Sequence, residues 1–454
     1  MPSCKRGLLM LFSAVLCLFT LPGCGDITLE SFLQPGIDEL LHPPKLTPEQ
    51  KEISSALEAA VGEGRAEKLK YPHRGEYLSA FVMYDLDGDG AEEALVFYDD
   101  PNNIEYQTQI CILDNDGTGW KALQTYPGNG TAVDQIQFVD ISGQGGCDIL
   151  IGWERTNQEL KTVNLYNFRN GQMKSLFSNT YSELLVTRLT GGRHDDLLLL
   201  EASSQAKPVD AKLASLLPEG NVVDIVGEEY RMTNAFISYQ EVKYGLLADR
   251  TPAVFIDGSI SGELYCTDVL YYDREQGKLT SRLIYDVDDY SESTVRSMAI
   301  TCQDIDKDGI MDVPMPEPLP GYENAQEEAL YLVNYNCLDH NGISRVVPVA
   351  VNLEAGYMVR FPMSWRDKVT ITQEDKSGEW RFWLYNGSLS QLREELLRIK
   401  VYASKDYHDK FDADTYRIIR TKGNFEYYAY IPPETAGEEF VITYAQLEEM
   451  FLLT

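Results

Sequence analysis

Short apolar runs separated by acidic, glycine-rich turns recur through the middle of the chain. Ala80-Phe81-Val82-Met83-Tyr84 and Ala94-Leu95-Val96-Phe97-Tyr98 flank one such turn, and runs of this length read as buried strands. Thr108 to Leu113, Thr162 to Asn167 and Leu264 to Tyr272 read the same way, with hairpin turns at Asn170-Gly171 and Asn341-Gly342. Helical spacing is confined to the flanks. Thr47-Pro48-Glu49-Gln50 has the form of a capped helix start, followed by Ile53, Ala56, Leu57, Ala60 and Val61 on one face. That face is expected to pack against the β domain. Further on, a helix is expected around Ser388 to Leu397, and Thr443 is expected to cap a last helix carrying Leu447, Met450 and Phe451.

The turns carry the chemistry. Asp85-Leu86-Asp87-Gly88-Asp89-Gly90 returns downstream as Asp304-Ile305-Asp306-Lys307-Asp308-Gly309, completed by Glu93 and Asp312 respectively. Carboxylates at loop positions one, three, five and nine, a glycine at six, and the position-seven carbonyls of Ala91 and Ile310 form an oxygen cage. Such a cage suits Ca²⁺ better than Mg²⁺, which holds its waters, or Zn²⁺, which prefers nitrogen and sulfur. The EF-hand is excluded, because position twelve is Val96 or Met315 and a strand follows. Glu93 and Asp312 differ in reach and Lys307 adds a positive charge, so the tighter of the two loops is left open. Strand, acidic loop, strand resembles the FG-GAP or VCBS repeats of integrin-type β-propellers.

Weaker copies follow the same frame. Asp140 to Leu150 keeps carboxylates only at Asp140 and Asp148. The segment from Arg188 to Leu200 keeps the strand but places Arg188 and Arg193 in the loop. The copy ending in Thr251 to Ile256 has lost the ligands. Five copies spaced by about fifty to sixty residues suit four-stranded blades. The expected fold is mainly β: a propeller of about five blades over residues 66–353, with a larger or an incomplete ring as the alternatives. Pro314 and Pro316 follow the last loop, so that strand should be an edge, short or bulged.

From residue 354 to 454 the pattern is of antiparallel strands and a closing helix. Phe361-Pro362 with Trp365 and the last helix resemble the small α+β domain, similar to PsbP, found at the C-terminus of many Gram-positive lipoproteins. The N-terminus agrees. Lys5 and Arg6 precede an apolar stretch from Leu8 to Thr20, too short to span a bilayer, which reads as a signal peptide over residues 1–23. Leu21-Pro22-Gly23-Cys24 looks like a lipobox with Cys24 as the lipidated residue, and residues 24–65 form a tether and helix. The layout as a whole resembles a group of lipoproteins from clostridia and their relatives, on Pro43-Pro44-Lys45-Leu46-Thr47, Leu69-Lys70-Tyr71-Pro72 and Glu92-Glu93-Ala94-Leu95-Val96-Phe97-Tyr98. The resemblance implies an extracytoplasmic, lipid-anchored protein and carries no catalytic residues.

A net charge of −32 repels phosphate backbones and anionic headgroups, which argues against nucleic acid and leaves the lipid as the membrane contact. Cys111, Cys147, Cys266, Cys302 and Cys337 form neither a disulfide framework nor a zinc motif. His42, His73, His194, His340 and His408 are scattered, and no nucleophile elbow or P-loop is present. The expected role is non-catalytic: a calcium-braced module binding an envelope protein, glycan or peptide. The alternative is a secreted glycoside hydrolase or lyase using the propeller mouth, with a carboxylate pair that sequence cannot pick out.

Overall fold

A computed structural model describes residues 46–62, 64, 68–100, 108–145, 147–204, 207–217, 222–283, 294–325, 329–403, 415–433 and 437–454. The segments expected to be a signal peptide and a proline-rich tether, with Cys24, His42 and His408, lie outside the described residues. The chain divides into two compact units, residues 1–55 and 56–454, with the boundary inside helix α1 (Pro48–Val61). The expected cap is present: the Gln50 N–H donates to Thr47 Oγ1 at 3.1 Å and the Thr47 N–H to Gln50 Oε1 at 3.0 Å. Ile53 and Leu57, one turn apart, are both buried.

The larger unit is mainly β and antiparallel. Its first sheet runs β1 (Phe81–Tyr84), β2 (Glu93–Asp99), β3 (Thr108–Asn115), β4 (Trp120–Pro127), and the second β5 (Ala132–Val139), β6 (Asp148–Glu154), β7 (Lys161–Arg169), β8 (Gln172–Tyr181). The third runs β9 (Glu183–Thr187), β10 (Asp196–Leu200), β11 (Asp210–Leu217), β12 (Val222–Ile225), with β13 (Tyr230–Arg231) also on β11. The fourth runs β14 (Ser238–Leu246), β15 (Pro252–Ser259), β16 (Tyr265–Asp273), β17 (Lys278–Ser281). The fifth runs β18 (Asp312–Pro318), β19 (Tyr331–Asp339), β20 (Gly342–Asn352), β21 (Tyr357–Arg360), and ends on β27 (Phe451–Leu453). In each of these five, four strands form an up-and-down meander in sequence order, with β13 and β27 as additions to the third and fifth.

Second strands such as β6 and β10 read as unbroken apolar runs because both their faces are covered. Ile149 and Ile151 pack with Val82, Leu95 and Phe97 of the first sheet, whereas Leu150 packs with Leu197 and Leu199 of the third. Leu198 and Leu200 point the other way, to Val254 and Ile256 of the fourth sheet, whose Phe255 packs with Val313 of the fifth. Two-residue alternation therefore hands successive side chains to successive neighbours. At Asn170 (φ 52°) and Gly171 (φ 71°) both hairpin residues are left-handed, as a two-residue turn requires.

Two expectations are corrected. β21, placed by sequence in a domain beginning at residue 354, is the fourth strand of the fifth sheet and pairs with β20 through Val349↔Arg360 to Asn352↔Tyr357. The sixth sheet, β22 (Val369–Gln373), β23 (Trp380–Leu384), β24 (Glu395–Ala403), β26 (Phe425–Tyr430), β25 (Arg417–Lys422), shares one core with the fifth, so no composition change marks the border. The helix expected near Ser388 is only a short 3-10 turn at Leu389–Gln391, and Glu395 onward is strand β24. Pairing of β24 with both β23 and β26 overrides the helical spacing of its leucines. β18 is an edge strand, as its prolines require, but runs for seven residues without a register shift. Helix α2 (Tyr444–Met450) is capped by Thr443 and Gln446 in a reciprocal box.

Burial also sets one pH response. The Asp268 carboxyl on β16 accepts the Asn234 amide at 2.8 Å, while Oδ2 has no partner among the described residues. Burial pushes its pKa up to about 6, against the pull of the Asn234 and Thr233 donors. The native state holds this proton up to about pH 6 and the unfolded chain loses it near 4. Stability from this group is complete below the unfolded value and declines as pH rises through 6. Asp268→Asn is expected to gain up to about 2–3 kcal/mol over the parent at pH 8 and nothing at pH 4. Denaturant melts across that range check it; a pH-independent difference between the two chains would contradict it.

Candidate metal centre

The first acidic loop joins β1 to β2, whereas the second leads into β18, the first strand of the fifth sheet, with the Gln303–Asp312 bridge at its base. In the first loop, oxygens of Asp85, Asp87 and Glu93 converge to within 4.8 Å of one another. Asp85 is held by the N–H groups of Gly88 at 2.7 Å and Gly90 at 3.1 Å, and Asp87 accepts the Asp89 N–H at 3.1 Å. Gly88 (φ 81°) and Gly90 (φ 92°) supply the left-handed turns that fold the loop onto itself. Asp89 is turned aside to the Ala91 N–H at 2.7 Å and does not join the cluster.

Glu93 opens β2 and is 2 % exposed. Its Oε2 accepts the Leu86 N–H at 2.7 Å. Burial pushes its pKa up to about 7, with the charges of Asp87, Asp114 and Asp89 adding to the shift and the Leu86 N–H opposing it. Three converging carboxylates with a buried member are a crowded anionic site, and a hard cation would relieve it. The donor set is all oxygen, the chemistry that suits a hard cation.

In the second loop the cluster is Asp304, Asp306 and Asp308. Asp304 accepts the N–H groups of Asp308 at 2.9 Å and Gly309 at 2.8 Å, and Asp308 accepts the Ile310 N–H at 2.8 Å. Lys307 sits at φ 65°, where the first loop has Gly88. Asp312 is fully buried and stands outside the cluster. Its Oδ2 accepts the Ile305 N–H at 3.2 Å and its Oδ1 the Cys337 thiol at 2.9 Å. Burial raises its pKa to about 6.

The position-nine carboxylate has a role that sequence reasoning missed. Asp148 accepts the N–H groups of Ile141 at 2.9 Å and Ser142 at 2.6 Å; Asp196 accepts the Thr190 N–H at 2.8 Å and the Thr190 hydroxyl. Glu93, Asp148 and Asp196 open the second strands of their sheets and Asp312 the first strand of the fifth, and each ties down the loop before it. This staple persists where the other acidic positions are lost. In the weak copies those positions are otherwise engaged: Asp140 faces His194 Nδ1 at 3.0 Å and Asp195 pairs with Arg188 at 2.8 Å.

A second polar constellation was not legible from sequence. Asp134 on β5 has a side chain 1 % exposed and receives Arg74 Nε at 3.0 Å, Lys161 Nζ at 2.5 Å and Tyr181 Oη at 2.6 Å. Burial pushes its pKa up, but these donors outweigh burial and hold it below the usual carboxylate value. Gly152 leaves the space, since a Cβ there would collide with the Tyr181 hydroxyl. Arg74 also binds Glu183 at 2.7 Å, on the rim of a recess of about 810 Å³ lined by Glu159, Glu201, Lys207 and Tyr239 among others. Glu201 is paired with Lys212 at 3.0 Å. The five described cysteines are free thiols.

No protein family matches the sequence, and no curated protein matches it. Among solved structures the chain is similar to a rhamnogalacturonan lyase, at 12% identity and TM-score 0.33, covering 79% of this chain and 63% of the lyase. It is also similar to the β-propeller domain of the Trilobed protease from Pyrococcus furiosus, at 8% identity and TM-score 0.25, covering 72% of this chain and 90% of that domain. TolB from Acinetobacter baumannii matches at 12% identity and TM-score 0.22, covering 66% of this chain and 63% of TolB. The chain thus spans less than two thirds of the length of the lyase and of TolB. Likeness of this strength carries no activity across.

Proposed function

We propose that the chain is a non-catalytic binding or scaffold lipoprotein of the cell envelope, built as a five-bladed propeller whose first acidic loop holds Ca²⁺. The convergence of Asp85, Asp87 and Glu93 supports this most directly. The ion would fix the hairpin between β1 and β2, offset the repulsion among its ligands and so brace one blade. The five successive meanders, each packed on the next, support the blade count. Anchoring through Cys24 rests on the lipobox and is tested by whether Cys24→Ala loses detergent-phase partition.

Asp87→Ala is expected to abolish calcium-dependent stabilisation while staying within about 0.5 kcal/mol of the parent in chelator, because Asp87 is exposed. Thermal melts with and without CaCl₂ check both arms. Equal calcium responses in parent and variant would contradict the site.

A secreted hydrolase or lyase is the second reading, favoured by the recess that Glu159, Glu183 and Glu201 share. Against it, Glu183 and Glu201 are each tied to a base of the protein itself, Arg74 at 2.7 Å and Lys212 at 3.0 Å, which occupies the carboxylates that a substrate would need. Cleavage of an envelope polysaccharide, lost in Glu183→Gln, would decide for the enzyme.

A further inference from the structure

The geometry points to Arg345 as the built-in cation of the second acidic loop, so that this loop is closed by the protein's own charge and takes no metal ion, in contrast to the first. The contrast rests on the calcium reading of the first loop; the role of Arg345 is read from the second loop alone.

Strand register brings the guanidinium there. Asp312 of β18 lies opposite Cys337 of β19, and Cys337 lies opposite Arg345 of β20. From that position Arg345 reaches back over the strands to the loop. Its Nη2 donates to Asp308 Oδ2 at 2.7 Å and its Nη1 lies 3.1 Å from Asp306 Oδ2, so one planar cation spans loop positions three and five. The same Nη2 lies 3.1 Å from Cys337 Sγ, whose thiol donates to Asp312. Both oxygens of Asp312 are therefore engaged within the fold, and Asp312 stands apart from the carboxylate cluster of the loop. Lys307 adds a second positive charge within the loop itself, beside Asp306 in a recess of about 570 Å³. A guanidinium keeps its charge at every working pH and matches two carboxylates with charge-assisted bonds, so an incoming divalent ion must displace it against that field.

The first loop has the corresponding strand positions filled differently. Asp114 of β3 lies opposite Lys121 of β4, the pair that corresponds to Cys337 and Arg345. Lys121 turns away and binds Asp116 at 2.5 Å and Thr118 Oγ1 at 3.3 Å within its own hairpin. Asp114 instead adds negative charge next to Glu93. Arg169 shares a recess with Asp87 but donates to the carbonyls of Gln144 and Gly145. Among the described residues, no basic side chain forms an ion pair with Asp85, Asp87, Asp89 or Glu93. The same loop motif is thus neutralised from within at one end of the repeat array and left open to a cation at the other.

Equilibrium dialysis of the purified chain against CaCl₂, with metal analysis, counts the ions directly. The parent is expected to hold one Ca²⁺, Arg345→Gln two, Asp87→Ala none, and the double variant one. Arg345→Lys keeps the charge and is expected to stay at one. In chelator Arg345→Gln is expected to melt below the parent and to recover with calcium. Arg345 is partly exposed on its strand, so the substitution leaves the core intact. A parent that binds two ions, or an Arg345→Gln chain that binds no more than the parent, overturns the assignment. Failure of the first-loop reading shows separately, as a parent that binds none while Arg345→Gln binds one.

Discussion

Arg296→Met is expected to cost about 3–5 kcal/mol, the range for breaking a buried ion pair from one side. Both side chains are out of solvent: Arg296 is 0% exposed and Asp257 1%. Asp257 opposes Thr267 on β16, in the middle of the fourth sheet. Arg296 Nη2 donates to Asp257 Oδ1 at 2.8 Å, Nη1 to Thr267 Oγ1 at 3.0 Å and to the Thr294 carbonyl at 2.9 Å, and Nε to the Ile300 carbonyl at 3.0 Å. The Cys302 N–H completes the set on Asp257 Oδ2 at 2.8 Å. The guanidinium therefore pins residues 294–302 to the fourth sheet, directly before the second acidic loop. Methionine preserves much of the volume but leaves the Asp257 anion without its countercharge. Arg296→Met combined with Asp257→Leu is expected to recover a large part of the loss, because an apolar pair carries no stranded charge. Urea melts of the two single variants and the double variant give the coupling directly. Additive losses would show that the pair is not a unit.

Asp134→Ala is expected to cost about 3 kcal/mol, toward the low end of the same range, because Arg74 and Lys161 keep some contact with water while Asp134 does not. The loss strands Tyr181, which is fully buried, with its hydroxyl unpaired. Asp134→Asn retains an acceptor and should cost less. The pH signature is opposite to that of Asp268. A carboxylate held below its ordinary value stabilises the fold above about pH 4 and loses that effect as pH falls further, so the Asp134→Ala deficit should shrink in acid. Denaturant melts at pH 7 and pH 3 check both the size and the direction; a deficit that grows in acid would contradict the network.

How much of this was legible in the sequence differs from element to element. The strands around each loop were readable because β2, β6, β10 and β15 are covered on both sides, which writes itself as an unbroken apolar run. Helix starts at Thr47 and Thr443 were readable because a capping box is local chemistry. The border near residue 354 was not, since Tyr357 and Phe361 serve a core common to two sheets. The acidic loops were visible as Asp and Gly in sequence, and Asp85, Asp87 and Glu93 do converge. Arg345 was invisible for a physical reason: its reach to Asp308 depends on cross-strand register, and a register shift between Cys337 and Leu338 intervenes. The Arg74–Asp134 pair joins residues 60 apart in sequence, a separation no local pattern encodes.

Thermal unfolding of the chain from Gly25 onward, in excess EDTA and then in millimolar CaCl₂ or MgCl₂, addresses the first loop most directly. Binding to the native state alone adds about 2.7 kcal/mol when the ion is at a hundred times its dissociation constant. The expected result is a clear rise in melting temperature with calcium, absent with magnesium. Identical melting in all three conditions would contradict the calcium site and leave the converging carboxylates as an ordinary acidic turn.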